Sequence, residues 1–315
     1  MSEDITRPPT VEVSAEEFSS LFRALSRWGR WGTDDEEGAL HFLTPERVAA
    51  AAGLVRDGVS VTLSVPLGTV AGPANPKPAD HHMTSVGSAA ASQGDCFMKD
   101  YIGLDYHNDT HTHIDALCHV AYEGVLYNGR SADTVTSKGA SVDSIEVLRN
   151  GLVGRGVLLD IPRLRGTQWL EPGEYVFIED LEQAERMQGV TVGEGDILLV
   201  RTGHVTRLAE VGQWNTAEAK TGLHPTAMPF VAERGVAALG SDGNNDTAPS
   251  RTEGVAFPIH VLAITALGIH LLDYLNLESL AGKCADAKRW EFLLVATPLR
   301  ILRGTGSPLN PIAIF

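Results

Sequence analysis

Cysteine is scarce: three residues among 315, namely Cys96, Cys118 and Cys284. An odd, widely spaced trio builds no disulfide framework and fits a reducing cytosol, so a cytoplasmic location is the expectation. No run of about eighteen apolar residues exists, which argues against a transmembrane helix. The opening MSEDITRPPTVEVSAEEF lacks the basic and apolar regions of a signal peptide. Basic residues are outnumbered, 25 Lys and Arg against 40 Asp and Glu, for a net charge of −15. That balance disfavours nucleic acid and anionic membrane as partners, because both require a basic face. Glycine signatures are missing as well. Without Gly-x-Ser-x-Gly there is no nucleophile elbow, and without Gly-x-Gly-x-x-Gly or a P-loop nothing points to nucleotide binding. The glycines of Gly151-Leu-Val-Gly-Arg-Gly lack the required spacing. None of these absences says anything positive about substrate; a small-molecule substrate is the expected partner.

What the chain does have is histidine and aspartate in one place. His107-Asn-Asp-Thr-His111-Thr-His113-Ile-Asp115-Ala-Leu-Cys-His119 gathers four of eleven histidines and two carboxylates within thirteen positions. These side chains hold divalent metals through imidazole nitrogen and carboxylate oxygen. In an extended strand, residues two apart share a face. His107, Asp109, His111, His113 and Asp115 are therefore expected to project together, with Asn108, Thr110, Thr112 and Ile114 opposite. Such a row makes poor core and a good cradle for a divalent metal, zinc or manganese. His119 reaches the same neighbourhood only if the chain turns after Asp115. Cys118 is expected to pack rather than ligate.

Around this cluster the pattern alternates between strand and helix. Residues 15–29 carry apolar side chains at helical spacing, and Thr44-Pro45 reads as a capped helix start. Strands are expected near residues 60–66, 154–161, 196–202 and 235–242, with helices near 142–149, 180–188, 226–234, 259–266 and 277–281. Residues 68–94, rich in Gly, Pro, Ala and Ser, read as a long irregular loop with solvated His81 and His82. The sum is one mixed α/β domain over residues 59–315 with an N-terminal helical extension over residues 1–58. Phe18, Phe22, Trp28 and Trp31 on that extension suggest a contact between subunits.

Thr112-His113-Ile114-Asp115-Ala116-Leu117-Cys118-His119 resembles the signature of the cyclase-like metal-dependent hydrolases, the family of bacterial kynurenine formamidase and isatin hydrolase. The family pattern is His-x-Gly-Thr-His-x-Asp-x-x-x-His. Further segments are similar in order: Tyr122 to Gly129, Gly195 to Gly203, Gly240-Ser-Asp242 to Pro249-Ser250, His260, and Gly268 to Asp273. Two positions depart. Asp109 stands where the family has its first histidine, and His111 where it has glycine, so the first ligand is drawn from His107, Asp109 or His111. Asp273 replaces the glutamate typical of kynurenine formamidases.

The resemblance implies a cyclase-like swivelling β/β/α fold and a homo-oligomer, dimer or tetramer. It also implies His113 and Asp115 as metal ligands, His260 and Asp273 as the metal-adjacent or second-metal pair, and His119 as general acid/base. The expected reaction is hydrolysis of a C–N bond in an amide, formamide or cyclic amide. The alternatives are a lyase, cyclase or lactone hydrolase on the same scaffold, or a binding protein without turnover.

Overall fold

The computed structural model describes residues 13–87, 95 and 97–315, so Cys96 and residues 88–94 of the expected loop lie outside the described residues. The described residues form a mixed α/β domain around one nine-stranded sheet. Its spatial order is Ser60–Thr62, Ile312–Ile314, Glu291–Ala296, Leu152–Asp160, Ile197–Arg201, Ala238–Ser241, His270–Asp273, His113–Asp115 and Gly306–Pro308. The four strands from Leu152–Asp160 to His270–Asp273 are parallel neighbours. Parallel pairing demands long crossovers, and helices Ile178–Gln188, His204–Val211 and Met228–Glu233 lie within them. Because both faces are covered, these strands read as nearly continuous apolar runs. Leu158, Leu159, Ile197, Leu198, Leu199, Val200 and Leu239 are fully buried.

Gly156 shows how tightly the sheet is filled. It pairs with Phe292 across the antiparallel Leu152–Asp160 and Glu291–Ala296 strands, and a Cβ there would collide with the Phe292 ring. Gly156→Ala is expected to cost about 1–3 kcal/mol by overpacking. Urea unfolding should show a lower midpoint at unchanged slope; an unchanged midpoint would mean the ring yields freely.

The helix expected from residue 15 runs Ala15–Leu25. The Ser14 hydroxyl accepts from Glu17 N, and the Glu17 carboxylate accepts from Ser14 N at 2.8 Å, a reciprocal capping box. Its Phe18 and Phe22 are buried against the domain, edge-on to Tyr122 and Trp28 respectively. Each such burial contributes about 1.5–3 kcal/mol. These two rings are therefore used inside the chain and are not the surface aromatics the sequence suggested. Thr44 caps the helix Pro45–Ala52 as expected.

Residues 68–94 are not wholly irregular. Asp80–Ser85 pairs with Lys99–Gly103 in an exposed antiparallel hairpin carrying His81 and His82. The strand expected over 60–66 is only Ser60–Thr62, because Val65 N donates instead to the Thr112 hydroxyl.

Candidate metal centre

The strand His113–Asp115 is three residues long, inserted antiparallel between His270–Asp273 and Gly306–Pro308. Its alternation sends His113 and Asp115 to one face, while Ile114 enters the core. Register places Asp273 directly across from His113. Three of the expected residues are thus gathered by sheet geometry alone.

The five-residue row expected on one strand face does not form. Asn108 Oδ1 accepts from Thr110 N at 2.9 Å and His111 N at 3.1 Å, curling residues 107–112 into a bend. This is an Asx-type turn, in which a side chain offers the backbone an alternative to the sheet ladder. The bend separates the three candidates for the first ligand. His107 swings back so that its Nδ1 lies 3.0 Å from Asp115 Oδ1. Room for it comes from Gly306, where a Cβ would approach His107 Cε1 to 2.7 Å. Asp109 instead receives the Lys220 ammonium at 3.0 Å and the Tyr274 hydroxyl at 2.6 Å, both on Oδ1. His111 stays outside the cluster with its ring buried; its contribution is a carbonyl that accepts from His113 Nδ1 at 2.7 Å.

After Asp115 the chain turns. His119 N donates to Ala116 O and Cys118 N to Asp143 O, bringing the His119 ring flat onto His107 at 3.8 Å between centroids and 5° between planes. His119 Nε2 is then 3.9 Å from Asp115 Oδ1. From the opposite side comes His260, at the end of the short helix Pro258–His260 that continues into a π-helical turn, Val261–Ala266. Such turns recur at functional sites. His260 Nε2 lies 3.4 Å from both Asp115 Oδ2 and Asp273 Oδ2.

Asp115 is fully buried, and neither oxygen has a hydrogen-bond partner among the described residues, although four imidazoles surround it at 3.0 to 3.9 Å. Leaving a buried carboxylate without donors is costly, so this oxygen pair is built for something else. Ligands about 2.1 Å from a shared zinc stand roughly 3.4 Å apart in a tetrahedral arrangement, which the observed separations bracket. The outer partners agree. His113 Nδ1 is fixed by the His111 carbonyl and His260 Nδ1 by Asp246 Oδ2 at 2.6 Å, so in both rings Nε2 faces the cluster. Asn245 donates to Asp273 Oδ1 at 2.7 Å, turning Oδ2 inward. Locking the far atom of each ligand in this way is the usual support of a metal site. The donor set of the cluster, imidazole and carboxylate, therefore fits a divalent metal ion.

Electrostatics points the same way. Burial opposes charging His260, yet Asp273, Asp115 and Asp246 raise its pKa well above the usual imidazole value. Burial likewise opposes ionising Asp115, but His119, His107, His260 and His113 hold its pKa well below the carboxylate range. The pocket attracts positive charge. His119 behaves differently: burial and its imidazole neighbours outweigh Asp115 and bring it down to about 4, leaving it neutral with a free lone pair at neutral pH.

Asn245 and Asp246 escaped the sequence reading. They sit in Gly243-Asn-Asn-Asp-Thr, a polar run that looks like an ordinary surface loop but is buried here. The cluster opens into a cavity of about 400 Å³ whose apolar wall includes Val120, Tyr122, Val255, Phe257 and Val261.

A family model described as a putative cyclase matches residues 61–245. The isatin hydrolase of Roseibium aggregatum is 26% identical over 147 residues, 45% of this chain. That match spans about half of the relative, 53% of its length. A crystal structure described as a novel cyclase superposes with a TM-score of 0.85 at 33% identity, covering 93% of this chain and 99% of the other. An isatin hydrolase bound to the product analogue thioisatinate gives a TM-score of 0.58 at 22% identity over 83% of this chain and 93% of its own, a likeness of fold.

Proposed function

Because the chain belongs to the putative cyclase family, we propose that it is a metal-dependent hydrolase that opens a C–N bond in a small amide, formamide or cyclic amide. The observation that carries this reading is Asp115, a fully buried carboxylate with no hydrogen-bond partner among the described residues, at the focus of His107, His113, His119 and His260. The relative's action on isatin, a cyclic amide, gives the substrate class its support.

His107, His113, Asp115, His260 and Asp273 would hold the ion, zinc or manganese. When bound, a divalent ion makes water acidic near neutral pH and polarises a carbonyl. His119, neutral and at the cavity wall, takes the proton that water loses as its oxygen bonds to the carbonyl carbon. It then gives that proton to the departing nitrogen as the C–N bond breaks. The flat stack of His107 on His119 fixes the plane of the base, and the Thr305 hydroxyl at 2.9 Å from His107 Nε2 fixes His107 in turn. The apolar wall lowers the local dielectric and strengthens each of these interactions.

Chelation tests the reading. Protein dialysed against chelator is expected to lose turnover of isatin and formanilide and to regain it with about one equivalent or more of zinc or manganese per chain. Product formed in heavy-oxygen water should carry solvent oxygen. Turnover indifferent to chelation, or product without solvent oxygen, would overturn it.

A further inference from the structure

The cavity has a second polar end that the proton transfer leaves unused. Asp109 and Tyr274 both line it together with the imidazole cluster. The Lys220 ammonium behind Asp109 is buried, its side chain 4% exposed, and it sits 5.5 Å from the Phe257 ring, which also contacts the His260 ring at 5.8 Å. One phenyl ring therefore flanks both ends, a span suited to a small one- or two-ring molecule.

Tyr274 is held at a cost. Its φ of 53° lies in the left-handed region, which a bulky residue adopts only when its surroundings impose it. Three contacts do so: Tyr274 N donates to Gly243 O at 2.8 Å, the Thr112 hydroxyl donates to Tyr274 O at 2.6 Å, and the Tyr274 hydroxyl donates to Asp109. Lys220 and Tyr274 both converge on Oδ1 of Asp109, and the Thr216 hydroxyl donates to the same carboxylate as a third partner. An ionised carboxylate offers about four lone-pair sites over its two oxygens, so capacity for a further donor remains.

We propose that Asp109, positioned by Lys220 and Tyr274, is the specificity-determining acceptor of this site and selects substrates that present a neutral N–H beside the scissile carbonyl. The proposal rests on the hydrolase reading and narrows it. A cationic amine is a poor match because Lys220 already balances the carboxylate, and an anion is repelled by it. A lactone or an N-alkylated amide brings no donor and would desolvate the carboxylate without replacing its water. Sites built around a hydrogen bond discriminate strongly against analogues that lack it, because the buried polar group is then left unpaired.

The test uses the metal-loaded full chain and a pair of unactivated lactams, 2-oxindole and N-methyl-2-oxindole, with dissociation constants measured by calorimetry so that turnover is not needed. Wild type is expected to bind 2-oxindole at least about tenfold more tightly, equivalent to about 1.4 kcal/mol. In Asp109→Asn the preference should fall to within about threefold through weaker binding of 2-oxindole, at unchanged metal content. Because Asp109→Asn leaves Lys220 buried without its counter-ion, D109N/K220M restores the charge balance and should show the same collapse. Steric rejection of the methyl group would persist in both variants, so an undiminished preference there overturns the proposal. Loss of metal in Asp109→Asn, or no binding of either lactam by wild type, overturns it too. The chelation experiment judges hydrolysis separately, so selectivity can fail while the hydrolase reading stands.

Discussion

Asp115→Asn is expected to abolish metal binding and turnover while leaving the apo fold intact. Asn keeps the shape of Asp but supplies no charge to a focus shared by four imidazoles. All four imidazoles of the cluster lie within 3.9 Å of this one carboxylate, so the loss in kcat/KM should exceed the roughly 10²–10⁴-fold that a proton-transfer group is worth. Stability supplies a second readout. The surrounding imidazoles hold the Asp115 pKa well below the carboxylate range, so the ionised group contributes stability at neutral pH. The apo variant is therefore expected to melt somewhat earlier than the apo wild type. Added zinc or manganese should raise the melting temperature of the wild type, by linkage to the folded state, and leave the variant unchanged. Elemental analysis and thermal melts with and without metal check both halves. A variant that keeps its metal, or whose melting temperature rises with added metal as that of the wild type does, would remove Asp115 from the centre of the site.

What the sequence made legible was what depends on neighbours along the chain. Alternation placed His113 and Asp115 on one face, and the structure keeps them there because the strand, though short, is sandwiched by two others. The Thr44-Pro45 start, the Ser14 helix and the apolar parallel strands were legible for the same reason: caps and burial patterns act over a few residues. The first-ligand position was not, because its outcome is decided far away. Lys220 and Tyr274, more than a hundred residues later, capture Asp109, while Gly306 and Thr305 make the space and the hydrogen bond that seat His107. The clue that was present and misread is Asn108, whose side chain bends the segment that alternation alone would leave straight. Asn245 and Asp246 gave less to read. A polar run between glycine and proline has the composition of a surface turn, and only the folded chain shows it buried behind Asp273 and His260.

His119→Gln separates a proton-carrying residue from a ligand. His119 lies near Asp115 as His107 does, and His107, Asp115 and His119 present atoms close enough together to hold an ion. Two features set it apart. Its side chain is 26% exposed where His113 is 4%, so it faces the cavity in a way a buried ligand does not. Among the described residues, no backbone carbonyl or carboxylate locks the far nitrogen of its ring as the His111 carbonyl locks His113 and Asp246 locks His260. A ligand benefits from that lock, whereas a base that must accept and release a proton is hindered by it. The expected result is a kcat lowered about 10²–10⁴-fold with KM little changed. Metal content should match wild type, and His113→Gln should lose the ion. Gln keeps a polar side chain against the His107 ring, which guards the stack, but it cannot carry a proton at neutral pH. If metal content in His119→Gln falls as far as in His113→Gln, His119 belongs to the ligand set, and the proton must move through another group on the cavity wall.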